Sequence, residues 1–147
     1  MRFVSGYIGA VLVAYLVGAI SGTQFVLQAV SDMGLAVGFD QRLGSTIQDL
    51  QGLASTYLPL VAVAMLIGMV VAGQLARLLP AHRTLLYVAA GFVALVAMHM
   101  IMKAVLGLTG FAPARTVIGL LSQGLAGACG GLMFARISAR TDSAPQR

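Results

Sequence analysis

Four stretches of the chain run for about twenty or more residues with almost no charge: Phe3 to Val30, Leu58 to Leu79, Leu85 to Leu106 and Ala114 to Ala135. An α-helix rises about 1.5 Å per residue, so each stretch is long enough to cross about 30 Å of hydrocarbon. No water is present there to satisfy exposed backbone N–H and C=O groups, so only helices and closed barrels span it. These runs predict an all-α membrane protein, a four-transmembrane-helix bundle forming a single unit over residues 1–135.

Prolines punctuate the division. Pro59 and Pro113 stand at the starts of the second and fourth spans, where a missing N–H breaks no helical bond, and Pro80 follows the second. Arg2 followed by an apolar run, with Ala19-Ile20-Ser21 offering small residues, also fits a signal peptide, but the run is long for one. The 9% of charged residues and mean hydropathy of +0.95 exclude an ordinary soluble domain, in which about a quarter of residues are charged. The single cysteine, Cys129, excludes an intrachain disulfide.

A pI near 10.2 invites a nucleic-acid reading, but no basic stripe with interleaved aromatics supports one. Threading explains the charge instead. With the N-terminus inside, Arg2, Arg77, Arg83, Arg136, Arg140 and Arg147 lie on the inner side against Asp142 alone. Arg42, Lys103 and Arg115 lie outside with Asp32, Asp40 and Asp49. This is the positive-inside pattern of an inner membrane protein with both termini cytoplasmic, and it also implies attraction to anionic lipid headgroups.

Small residues recur every four positions: Gly6, Ala10, Ala14, Gly18 and Gly22 in the first span, and Ala64, Gly68, Ala72 and Ala76 in the second. The fourth has Gly119, Gly127 and Gly131, with Gly124 and Ala128 beside them. Such stripes let helix backbones approach closely, which predicts tight packing within a protomer, between copies in a homo-oligomer, or against a membrane-protein partner. Between the first two spans, Leu43, Ile47, Leu50 and Leu53 or Ala54 fall at helical spacing, predicting an amphipathic helix over about 40–54 with Asp40 as N-cap. It is expected to lie on the outer membrane surface, the alternative being a lid over a cavity. Residues 136–147 read as a disordered cytoplasmic tail.

The remaining polar residues gather toward the outer side. His99, Gln123 and Gln24 each fall roughly 9 to 14 Å from the outer ends of their spans, which predicts one shared layer. Ser21, Gln24, Gln28 and Ser31 share a face of the first helix, Ser122 adjoins Gln123, and Lys103 stands one turn above His99, placed to snorkel. The layer is expected to be either a closed hydrogen bond from His99 to Gln24 or Gln123, fixing helix register, or a polar cavity that binds a ligand or headgroup. Met98, His99, Met100 and Met102, with Met65, also suggest soft ligands for Cu(I). Methionine is ordinary apolar filler, however, and Cys129 lies too deep to join, so no metal or cofactor is expected.

The chain has no glutamate, no aspartate within a span, no glycine-rich phosphate loop and no Ser/His/Asp set at one depth. His82 belongs to the short inner loop. These absences argue against an enzyme and against a carboxylate-driven transporter. The stretches "TQFVLQAVSDMG", "STIQDLQGLASTYLPL" and "ARTVIGLLSQGLAGACGGLMFARI" together resemble a group of short four-span inner-membrane proteins of proteobacteria. The resemblance covers most of the chain and implies localisation and fold without an activity; it places Gln24, Asp49, Tyr57, Arg115 and Gln123 in a recurrent pattern. The function expected is that of a non-enzymatic accessory, assembly or interaction subunit in the bilayer, the alternative being a small oligomeric transporter or channel for a solute or lipid.

Overall fold

A computed structural model describes residues 2–106 and 116–139. Its helices are α1 (Arg2–Asp32), α2 (Phe39–Leu53), α3 (Tyr57–Leu78), α4 (Arg83–Leu106) and α5 (Val117–Ala139), with a short 3₁₀ turn over Pro80–His82. Four of them, all but α2, are long and apolar enough to cross a membrane. The chain is a multi-pass, all-α membrane protein. α1, α4 and α5 extend past the apolar runs that define them, and α5 continues to Ala139. Arg136, Ile137 and Ser138 therefore belong to the last helix and not to the expected tail, whose remainder lies outside the described residues.

Local chemistry explains the breaks. After α1 the chain turns at Gly34, whose φ of +87° is open to glycine and strained for other residues. α2 starts at Gly38 and not at Asp40: Gln41 Oε1 accepts the Gly38 N–H at 3.2 Å, and Asp40 stands in the first turn, where its charge suits the helix dipole. Pro80 opens the 3₁₀ turn that reverses the chain between α3 and α4. α5 begins with Thr116 Oγ1 accepting the Gly119 N–H at 3.0 Å. The expected start at Pro113 and Ala114 lies outside the described residues.

α1 and α4 flank α5, and α3 packs on α4 and α1. One end of the bundle carries Arg77, Arg83 and Arg136 and is called the arginine end. The other is the α2 end. In α4 the nineteen residues between Arg83 and Lys103 carry no charge, and the rise from one to the other is about 30 Å, the thickness of a hydrocarbon core. The interior between these levels is apolar and filled: Val61, Met65 and Leu95 are wholly buried, with Met69 and Phe134 beside them.

The α1 and α5 stripes find their partners inside the protomer, whereas Ala64 and Gly68 of the α3 stripe line a groove between α3 and α4. All five members of the α1 stripe are buried. Gly6 faces Phe134 and Ile137 of α5, and a side chain at Gly130 of α5 would strike the Ala10 carbonyl and the Ala14 methyl. The tightest approach joins α4 to α5, where a Cβ on Gly91 would collide with the Gly127 carbonyl, one on Gly127 with the Gly91 carbonyl, and one on Gly131 with the Tyr87 carbonyl. Backbone meets backbone along this seam, which is what glycine permits.

Candidate functional site

The buried polar residues at the α2 end converge on Tyr57, the first residue of α3. Its side chain turns inward, and its hydroxyl donates to Gln123 Oε1 at 2.8 Å. Gln123, wholly buried on α5, donates through Nε2 to the Gly18 carbonyl of α1 at 3.0 Å and to Ser21 Oγ at 3.4 Å. One amide thus ties α1, α3 and α5 together. The small-residue stripe makes this possible, because a Cβ at Gly18 would stand 2.9 Å from both Gln123 Oε1 and the Tyr57 hydroxyl oxygen.

Tyr57 is also flanked by rings. Tyr15 of α1 lies 6.1 Å from it, centroid to centroid, and His99 of α4 lies 5.8 Å from it. His99 is 97% buried, and its Nδ1 stands 2.8 Å from the Leu95 carbonyl one turn earlier. A carbonyl only accepts, so Nδ1 carries the proton in that bond. The Tyr15 hydroxyl in turn donates to the Leu50 carbonyl of α2.

The expected layer therefore divides. His99 and Gln123 share it with Tyr57, but Gln24 does not. Gln24 lies one and a half turns above Gly18, where its Nε2 donates to Thr46 Oγ1 at 3.2 Å and its Oε1 accepts from Arg42 at 3.1 Å. Both glutamines are committed elsewhere, so the expected bond from His99 to either amide is corrected: Tyr57 occupies the place between them. Ser21 joins Gln123, whereas Ser122 donates back to the Gly119 carbonyl of its own helix at 2.7 Å. Gln28 is exposed and donates to Asp32 at 2.9 Å, outside the cluster. Met98 and Met102, one turn apart on α4, both line the α3/α4 groove, whereas Met100 lines the cavity with His99 and Lys103, so the suggested thioether set is split between two faces.

α2 docks with its polar stripe and with Leu50 and Leu53, which pack against the core. Arg42 and Thr46 meet Gln24, Thr23 Oγ1 donates to Asp49 Oδ2 at 2.8 Å, and Leu50 meets Tyr15. Later residues of α2 meet earlier residues of α1, so the helix folds back down along it. Phe39, Leu43 and Ile47 stay exposed on one flank of α2, with Gln41, Gln48 and Gln51 exposed on another. Polar residues turned toward protein and an apolar flank turned outward suit a helix at a lipid boundary.

Among the described residues, cavities open on the sides of the bundle. A groove of about 480 Å³ between α3 and α4 is lined by apolar residues alone, among them Leu60, Ala64, Gly68, Val71, Ala94 and Met98. A cavity of about 420 Å³ at the α2 end is lined by His99, Met100, Lys103, Ala104 and Leu120. A third, at the arginine end, holds Arg77 and Arg83. Compared with known proteins, the chain matches no family model, no curated protein and no solved structure.

Tyr57 and Tyr15 are the site residues that sequence reasoning passed over as candidates. A signal for Tyr57 existed: an aromatic at a span boundary is expected in the interfacial belt. Its hydroxyl, placed opposite a glutamine at the same depth of another span, has a nearer acceptor than water.

Proposed function

We propose that the protein is a small bacterial inner-membrane protein that acts without catalysis, as an accessory, assembly or interaction subunit. The observation that carries this reading is the use made of the buried amide: the oxygen and nitrogen of Gln123 are both spent on joining three helices, and below them the interior is filled by Met65, Met69, Leu95 and Phe134. A carrier needs polar groups that a solute can reach across the bilayer, and an enzyme needs them beside a reacting atom. What this bundle offers its surroundings is apolar surface, including the α3/α4 groove. By the positive-inside rule the arginine end, where α1 begins and α5 ends, faces the cytoplasm. In this reading the partner is a second copy or another membrane protein.

One observation favours a second reading, a small oligomeric transporter or channel for a solute or lipid: the cavity at the α2 end brings His99 and Lys103 to one opening. Reconstitution separates the two. Proteoliposomes of the purified chain are expected to show ion leak and lipid scrambling at the level of empty vesicles. A photo-crosslinker at Ile67 in the groove is expected to give a discrete protein adduct, one at exposed Leu12 on α1 none. Transport above the empty-vesicle level that falls with His99→Gln would overturn the accessory reading. Reporter fusions after Arg140 and near Gly44 are expected to report cytoplasm and periplasm respectively; the reverse would overturn the orientation alone.

A further inference from the structure

At the arginine end, α1, α3 and α4 border an open cavity of about 360 Å³ with Gln74, Arg77 and Arg83 in its lining. The turn at Pro80 creates it, because reversing the chain there returns Arg83 beside Arg77. We propose that this cavity is a binding site for the phosphate of an anionic phospholipid from the leaflet on that side.

Charge favours an anion here. Two arginines line one small space, and neither makes an ion pair with a carboxylate among the described residues. The acids of the described chain, Asp32, Asp40 and Asp49, all belong to the opposite end. The Arg83 guanidinium carbon lies 5.7 Å from the centroid of the Tyr87 ring, a cation–π contact that keeps the head beside the cavity. Arginine presents a planar fork of donors that matches phosphate oxygens, and the Gln74 amide adds another donor one turn above Arg77. Two like charges held together without an acid between them favour an anion bridging them.

Shape favours a lipid. From Arg77 the cavity reaches back along α3 to Met69, eight residues or about 12 Å toward the middle of the bundle. Its upper wall is Phe3, Met69 and Val70, and Gly73 keeps the space in front of Tyr87 open, a Cβ there standing 3.6 Å from the Tyr87 hydroxyl oxygen. A charged mouth at headgroup level leading to an apolar slot is the complement of an amphiphile: phosphate at the arginines, glycerol and the first acyl carbons beneath. A soluble phosphate would use the mouth and leave the slot empty.

The test is lipid retention by the purified full chain in nanodiscs of equal phosphatidylglycerol and phosphatidylcholine, read by native mass spectrometry after release. The wild type is expected to retain phosphatidylglycerol over phosphatidylcholine. Arg77→Gln and Arg83→Gln should each lower that preference about tenfold, the loss expected for a charge-assisted hydrogen bond to phosphate. Gly73→Leu should lower it by filling the slot with every charge intact. Arg136→Gln at the same end and Lys103→Gln at the other should leave it unchanged. Arg77 is exposed, so its variant carries the result if Arg83→Gln fails to fold. Unchanged retention in Arg77→Gln overturns the site, and an equal fall in Arg136→Gln reduces it to diffuse surface attraction. Displacement of the lipid by excess inorganic phosphate, with Gly73→Leu without effect, would assign the mouth to a soluble phosphate and overturn the lipid.

Discussion

Two contacts of the bundle hold helices together by opposite means. Between α4 and α5, Gly91, Gly127 and Gly131 bring backbones together because nothing projects from them. Around Gln123, three helices are joined because one long polar side chain reaches across. The first contact relies on dispersion between closely packed main chains, which in lipid replaces the hydrophobic drive that water supplies elsewhere. The second relies on the scarcity of alternative partners for an amide in an apolar interior. It follows that the seam is sensitive to any added atom, and the polar junction to a removed partner.

The largest expected effect tests the seam. Gly127→Val places branched carbons where the Gly91 carbonyl stands, and neither backbone can move without separating α4 from α5 along several turns. Overpacking in a filled interior costs about 1–3 kcal/mol when side chains can yield. Here the obstacle is main chain, so loss of the folded bundle is expected, seen as aggregation in size-exclusion chromatography and no cooperative melt. A variant that elutes and melts like the wild type would mean that the seam opens readily and that α5 is held by α1 alone.

Much of this architecture was readable in advance, for physical reasons that differ from element to element. The spans were legible because hydrocarbon thickness sets a length, and the α1 stripe was legible because five small residues in register have few other uses. The membership of the α4/α5 seam was only half visible. Gly127 and Gly131 stand in a repeat, but Gly91 is solitary in α4, and its role depends on which neighbour α4 meets, a property of the bundle and not of the helix. The layer divides for a related reason. Counting from helix ends sets Gln24 within about a turn of Gln123, but α1 runs on to Asp32, and Gln24 stands six residues beyond Gly18 and meets α2. Tyr57, which the resemblance marks without a role, reads as interfacial from its place at the start of α3, whereas its ring is clamped between Tyr15 and His99.

A smaller effect is expected at the polar junction. Gln123→Leu takes the partner from the Gly18 carbonyl and alters the setting of the Tyr57 hydroxyl, which predicts a loss of about 1–3 kcal/mol. Tyr57→Phe combined with it should recover part of that loss, because the pair is then apolar on both sides. The measurement is a double-mutant cycle from thermal or denaturant melts in one detergent. Coupling of about 0.6 kcal/mol or somewhat more is the expectation for a hydrogen bond between membrane helices. Strict additivity would show that packing, and not the bond, holds Gln123 in place, and would erase the contrast with the glycine seam.

The smallest effect belongs to α2, whose attachment lies between the two modes. Its hydrogen bonds to α1 resemble those at Gln123, and Leu50 and Leu53 add a partly buried apolar contact with the core, but all of this stands at the end of the bundle where water and headgroups compete for the same groups. Gln24→Leu removes both the Arg42 and the Thr46 bonds, yet Arg42 can turn to solvent, so a change of about 0.5 kcal/mol or less in global stability is expected. The local effect should exceed the global one. Hydrogen exchange across residues 39–53 is expected to quicken in Gln24→Leu while exchange in α4 and α5 stays unchanged, because α2 has no fully buried residue and is held on its apolar side only by the partly buried Leu50 and Leu53. Thr23 and Asp49 remain as the second attachment, and Thr23→Val added to Gln24→Leu should release the helix further. If α2 keeps its protection in the double variant, apolar contact is what holds it, through Leu50 and Leu53 on the core and the exposed flank of Phe39, Leu43 and Ile47 in the lipid boundary, and the polar stripe serves only to satisfy groups that face the protein.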